Sequence, residues 1–171
     1  MNYQAIRAAV ESPLLTAFND LDPAVPVYFD NITAVPPNTT TEYVRINVTF
    51  GLTSDLTLTS SVRDVRGALI VRVFSEKGRG PARNQELVNA AMTALKTLKT
   101  QPKTISGIFA RVGNINGPDF TAVDTTPHFV GRLDAGYTAT QLTRDYILTT
   151  QASDLLQTQA GQDIVATLST I

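Results

Sequence analysis

Residues 65–98, VRGALIVRVFSEKGRGPARNQELVNAAMTALKTL, decide how this chain is read. Gly67 to Phe74 is apolar on nearly both faces, interrupted only by Arg72, which predicts a central strand covered on both sides. Arg83 to Leu98 places Leu87, Ala91, Ala94, Leu95 and Leu98 at helical spacing, with Lys96 and Lys99 near the end where the helix dipole favours cations. Pro102 stops that helix. Between the two lies Glu76-Lys77-Gly78-Arg79-Gly80-Pro81, a turn open to two incompatible readings: a phosphate-cradling loop, or a structural strand-to-helix connection.

The residue order decides against the phosphate loop. A nucleotide P-loop needs G-x-x-x-x-G-K-[ST], whose amides, lysine and hydroxyl share out the phosphates and the magnesium ion. Here the lysine precedes the glycines, no Ser or Thr follows, and Pro81 removes an amide from the helix start, where an anion would need it. The dinucleotide pattern G-x-G-x-x-G fails as well, since its third position falls on Arg83. What remains is a turn that uses glycines for positive φ, with Pro81 starting the helix.

Outward from this unit, Asn2 to Phe18 carries Ile6, Val10, Leu14 and Phe18 at four-residue steps and reads as a helix. Pro13 either kinks it or opens a second helix capped by Ser12. Pro26 to Asp30 is a short strand candidate. Thr33 to Thr41, with Pro36-Pro37 and a run of Thr, reads as an exposed loop. Glu42 to Phe50 alternates cleanly, Val44, Ile46, Val48 and Phe50 on one face, and predicts a strand with one buried side. Gly51 to Ser54 then reads as a turn, Asp55 to Thr59 as a further short strand, and Ser60 to Arg66 as a polar, basic loop. Ile105 to Val112 is another strand, Gly113 to Pro118 a turn, and Thr126 to Tyr137 a last strand. Beyond it, Asp145 to Thr150 has strand character, and Ser153 to Ala160 and Asp163 to Leu168 have the character of short helices around Gly161. Helix, strands, helix, strands is the order of an α+β domain: a mainly antiparallel sheet packed against an N-terminal helix and a long central one.

Composition narrows the function. The 171 residues suit one domain with a real core. A formal net charge of −1 gives no global basic field for nucleic acid. The absence of cysteine rules out disulfides, thiolate metal sites and cysteine nucleophiles. The N-terminus lacks a signal-peptide core and no apolar run approaches a membrane span, so a soluble, non-membrane protein is expected. The Asn-x-Thr triplets at Asn31, Asn38 and Asn47 are chance in so Thr-rich a chain. His128, the single histidine, follows Pro127 at a strand start and is expected at a surface or edge. One histidine provides no metal pair, and Asp20, Asp22 and Asp30 are too loosely spaced for a carboxylate cage. The residues therefore argue against an enzyme and call for no metal or cofactor. The basic residues Arg63, Arg66, Lys77, Arg79 and Arg83 flank the central strand at both ends. They are either solvated charge or subunit and partner contacts held on loops by a rigid scaffold.

The ordered combination resembles the tail terminator proteins of long-tailed bacteriophages. It runs from an N-terminal helix with Ala5-Ile6-Arg7-Ala8-Ala9-Val10 to a strand with Tyr43-Val44-Arg45-Ile46, and on to Arg66-Gly67-Ala68-Leu69-Ile70-Val71-Arg72-Val73-Phe74. A Gly-containing turn, an Ala/Leu helix and late strands such as Phe129 to Tyr137 complete it. The likeness covers residues 1–140; residues 141–171 extend past it, as part of the same domain or as an interface arm. The resemblance implies a homo-hexameric ring at the head-proximal end of the virion tail, assembled in the host cytoplasm. Such a ring caps the tail tube, ends its polymerisation and offers the surface that joins the head. Its implied partners are its own copies, the tail tube protein and a neck or connector protein. The genome could pass through the ring without sequence-specific contact. It implies no catalysis and no cofactor. A neck or head-completion protein is the alternative within this class, and a small phosphate- or nucleotide-binding enzyme using Lys77, Arg79 and the two glycines is the rival outside it. A ring subunit needs edges and arms to engage its neighbours; Pro36 to Thr41 and Gly51 to Arg66 are the candidates.

Overall fold

A computed structural model describes residues 2–33, 41–56, 62–78, 80–122 and 127–142. The chain forms α1 (Tyr3–Asn19), β1 (Val27–Tyr28), β2 (Tyr43–Asp55), β3 (Val62–Glu76), α2 (Ala82–Thr100), β4 (Lys103–Ile105), β5 (Ile108–Ala122) and β6 (His128–Leu142). The strands make one six-stranded sheet in the order β1-β2-β3-β6-β5-β4. Only β1 and β2 pair in parallel; every other pair is antiparallel. β3 and β5 run in the same direction with β6 between them, so β3-α2-β5 is a split crossover whose helix packs back on the sheet.

Both helices serve one face of that sheet. α2 packs against β3, β6 and β5, while α1 packs against α2 and over β5 and β4. Val44, Ile46, Leu69, Val71, Val73, Leu133 and Ala135 point into this layer and are buried, as are Ile6, Val10, Leu14 and Phe18 of α1 and Leu87, Leu95 and Leu98 of α2. Burying each large aliphatic side chain is worth about 1.5–3 kcal/mol, which is why the periodic positions fix the fold. Asn2 caps α1 by accepting from the amide of Ala5 at 3.1 Å. α1 is a single helix through Pro13. The buried residues on either side of the proline, Val10, Leu14 and Phe18, hold the helix together despite the backbone bond Pro13 cannot make.

Four expectations are corrected. Residues 51–54 are not a turn, nor is 62–66 a loop: β2 continues to Asp55 and β3 starts at Val62, and the two pair as far as Asp55 with Arg63. The glycine here serves a register shift between Phe50 and Thr53, not a reversal of the chain; a Cβ on Gly51 would lie 2.9 Å from the carbonyl of Arg66. Among the described residues, helices cover the central strand on one face, and Ala68, Ile70, Arg72 and Phe74 on its other face are partly exposed. Residues 113–118 are not a turn either; they lie inside β5, which shifts register twice there, after Val112 and after Asn116. Pro118 is tolerated because the outer side of β5 beyond Ala110 has no strand partner among the described residues, so no ladder donor is lost. Finally, His128 is 5% exposed rather than a surface residue. Its ring stands edge-on to Tyr43 and Phe74, which stack on each other 4.3 Å apart, and its Nε2 lies 3.3 Å from the carbonyl of Thr41. The expected loop over residues 33–41 and the elements expected after Tyr137 fall mainly outside the described residues, although β6 itself runs on to Leu142.

Candidate functional site

The turn between β3 and α2 is built as a joint. Gly78 and Gly80 have φ of +94° and +82°, a region where side-chain-bearing residues are strained, and a Cβ at either would meet open space. Conformation, not room for a ligand, therefore explains these glycines. Pro81 stands at the N-cap with no side-chain cap bond. The start of α2 is fastened from below by Asn84, which is fully buried in the helix's first turn. Its Nδ2 donates towards the carbonyls of Val73 and Phe129 and the hydroxyl of Ser75, at 3.0–3.2 Å, tying the helix to β3 and β6 together. Gly131 makes room for this anchor: a Cβ there would lie 2.4 Å from Asn84 Oδ1.

The basic residues form two groups, not one patch. Lys77 and Arg83 sit at the α2 end of β3, and Arg63 and Arg66 at its start, roughly 35–45 Å away along the strand. Arg83 is engaged within the chain, donating to Glu42 and Glu86 at 2.9 Å each. Those two carboxylates raise the pKa of its guanidinium, Glu86 foremost. Glu42 thereby links the start of β2 to the start of α2. The amide of Lys77 donates to the carbonyl of Pro127 at 3.2 Å. At the other end Arg63 pairs with Asp55 across the hairpin at 2.8 Å, both half-exposed, and Arg66 lies 3.6 Å from Asp64 with its side chain 66% exposed. Arg79 is outside the described residues.

Two features lie beyond the basic residues; the first carries no simple sequence signal, and the second falls within the Gly51 to Arg66 arm expected from the sequence. One is a polar chain that wraps the β2 edge. Arg7 on α1 bridges Glu11 at 3.1 Å and Asp30 at 2.9 Å. Asp30 accepts in addition from Asn47 and from the amide of Val48, and Asn47 accepts from Arg72 on the uncovered face. Burial alone would push the Asp30 carboxyl up, but the Val48 amide, Asn47 and Arg7 together hold it below its usual value. Glu11 has weaker compensation, and burial pushes it up to about 7.

The second feature is the outer part of the β2–β3 hairpin. From Thr49 to Thr53 the strand is exposed, and Phe50, Leu52 and Leu56 are exposed apolar side chains, Leu52 by 65%. Tyr3 of α1 and Tyr137 of β6 meet Phe50 edge-on, so the arm is braced at its root and bare beyond it. Past Val48 the outer edge of β2 has no strand partner among the described residues. Such an arm is suited to contact between chains; a partner strand or apolar surface would cover what the monomer leaves in water.

Among the described residues no three His, Asp or Glu side chains gather as metal ligands, and no helix is long and apolar enough to cross a membrane.

A family model described as phage tail terminator protein matches residues 5–109, from the first turn of α1 to the start of β5. One solved structure, of a protein whose name states no function, is 28% identical with a TM-score of 0.63; it covers 85% of this chain and 98% of its own. Another, from the virion of a native gene transfer agent particle, is 16% identical with a TM-score of 0.46, covering 81% of this chain and 95% of its own. No curated protein matches the chain.

Proposed function

The chain belongs to the phage tail terminator family, structural proteins of the virion tail that associate with tail tube and head, and on that premise we propose that it closes into a six-membered ring. The ring caps the tail tube, ends its polymerisation and presents the surface to which the head is joined. It does so by contact alone, without catalysis. The observation that carries this reading is the β2–β3 arm, which stands past the helix-covered core with Leu52 and Leu56 exposed beside an edge that has no strand partner among the described residues. A head-to-tail ring puts a different surface of each subunit against its neighbour, so one arm per chain finds one acceptor per chain and closure leaves none unused.

Arg63 lies towards the tip of that arm, paired with Asp55, and Arg66 near its root; Lys77 and Arg83 lie at the opposite end of β3. We assign the first pair to contact between subunits, next to the apolar arm, and the second end, together with Arg79, to the axial partner. The test is kinetic. Adding the protein to tube subunits that are polymerising should arrest elongation at a ratio of one ring per tube end. Tubes that keep growing at saturating protein would refute capping, and binding to the connector alone would place the chain at the neck instead.

A further inference from the structure

A groove of about 860 Å³ opens to solvent between α1 and α2. Its floor and walls include Pro13, Ala17, Ala90, Ala94, Leu98 and Pro102. The threonines beside them add little polarity. Thr93 and Thr97 spend their hydroxyl hydrogens on the carbonyls of Asn89 and Thr93 in their own helix, at 2.9 and 3.0 Å. Lys103, at the groove's end, is the one charged residue among those that line it. A small polar ligand would find few converging donors here, whereas a row of apolar side chains would find a fitting bed.

We propose that this groove is the docking site of the chain's own C-terminal segment, within residues 143–171. Three observations converge on that occupant. The segment carries Ile147, Leu148, Leu155, Leu156, Ile164, Val165, Leu168 and Ile171, eight large aliphatic side chains that need cover. Its charges are Arg144 against Asp145, Asp154 and Asp163, a net negative balance to set beside Lys103. The described chain also ends close to the groove. Gln141, next to the last described residue, pairs with Ile108 of β5, and Ile108 pairs with Ile105 of β4, the strand that Lys103 begins. Two strand spacings are about 10 Å. Residues 143–154 reach up to about 40 Å when extended, more than the ~28 Å length of α2. The tether keeps the segment's effective concentration at the groove in the millimolar range, so modest apolar contact suffices for occupancy.

The absence of cysteine in the native chain makes the test clean. In the full chain, Thr93→Cys is combined in turn with Leu156→Cys, Ile164→Cys or Leu168→Cys, and Thr53→Cys on the distal arm serves as the control partner. Docking should give an intrachain disulfide in at least one groove pair, at a yield independent of protein concentration and about tenfold above the control. In parallel, maleimide labelling of the single variant Thr97→Cys should be about tenfold slower than in the same chain carrying Ile164→Asp and Leu168→Asp. No intrachain bond above the control, or equal labelling rates, would overturn the proposal. Crosslinks formed only between chains would overturn it too, by assigning the groove to a second copy. None of these outcomes depends on ring formation or tube capping, so this proposal and the terminator reading fail separately.

Discussion

Gly67 sits opposite Phe50 on β2 and Tyr137 on β6, and it is the one position of the central strand that must have no side chain. A Cβ there would come within 2.2 Å of the Thr49 carbonyl and 2.5 Å of the Tyr137 ring, whose hydroxyl crosses over Gly67 to donate to Thr49 at 3.2 Å. Burial holds the Tyr137 phenol unionised, its pKa pushed up to about 12. Gly67→Ala should therefore cost about 1–3 kcal/mol by overpacking, read from a shifted denaturant midpoint. Gly136→Ala, where a Cβ meets nothing within 4 Å, should fall within about 0.5 kcal/mol of the parent. A second residue-scale prediction concerns Glu11. Its folded pKa of about 7 stands above the ordinary value of 4.5, so between those values the folded state holds more protons than the unfolded one. The contribution of Glu11 to stability therefore falls as pH rises from about 4.5 to 7. Glu11→Gln should flatten that part of the stability–pH profile and raise the denaturation midpoint at pH 8; an unchanged slope would show that the carboxyl titrates normally. Asp30 acts in the opposite sense, stabilising above its usual pKa and losing that contribution as pH falls through its depressed one. The apolar neighbours of Gly67 were legible in the sequence, but its reason was not. The Tyr137 ring that forbids a side chain lies seventy residues away, and only β6 pairing beside β3 brings them together. The same distance hid His128, whose aromatic neighbours Tyr43 and Phe74 come from two other strands.

At the scale of elements, α2 and the hairpin arm make contrasting predictions. The helix is held at its start by Asn84, so Asn84→Ala leaves two carbonyls and the Ser75 hydroxyl without their buried donor. Such a loss costs about 1–3 kcal/mol and should appear in thermal melts of the isolated chain. The arm should behave in reverse. Leu52→Asp with Leu56→Asp changes exposed side chains, so folding stability should stay within about 0.5 kcal/mol per site, while self-association measured by light scattering should be lost. A destabilised monomer would mean that the arm packs on its own chain rather than on a neighbour. Alternation from Glu42 to Phe50 made the inner half of β2 readable, because every second side chain enters the core. The outer half, Gly51-Leu52-Thr53-Ser54-Asp55, buries nothing and is written in turn residues, so only its pairing with β3 reveals it as a strand. Residues 113–118 misled in the same way: glycine and proline there serve register shifts in a strand whose outer side has no strand partner among the described residues.

For the whole molecule, the α+β class followed from the order of periodic segments, since two apolar-striped helices and several half-buried strands have few ways to share one core. That both helices would lie on one face did not follow. The run Gly67–Phe74 is apolar enough to suit a sheet covered twice, and the uncovered face keeps Ile70 and Phe74 beside Arg72 and Asn47. The basic residues and their division between the two ends of the central strand were legible in the sequence, but the carboxylates that engage Arg83 and Arg63 were not, because Glu42 and Asp55 come to them only through the pairing of β2 with β3 and the docking of α2. The chain thus emerges as a helix-backed sheet with an arm at one end and the β3–α2 joint at the other, which the proposed ring would use to join copies sideways and partners along an axis. Electron microscopy of the purified protein, alone and with tail tubes, tests this most directly. Closed six-membered rings, seated at one end of each tube, are the predicted result. Particles that remain single chains in both samples would contradict it.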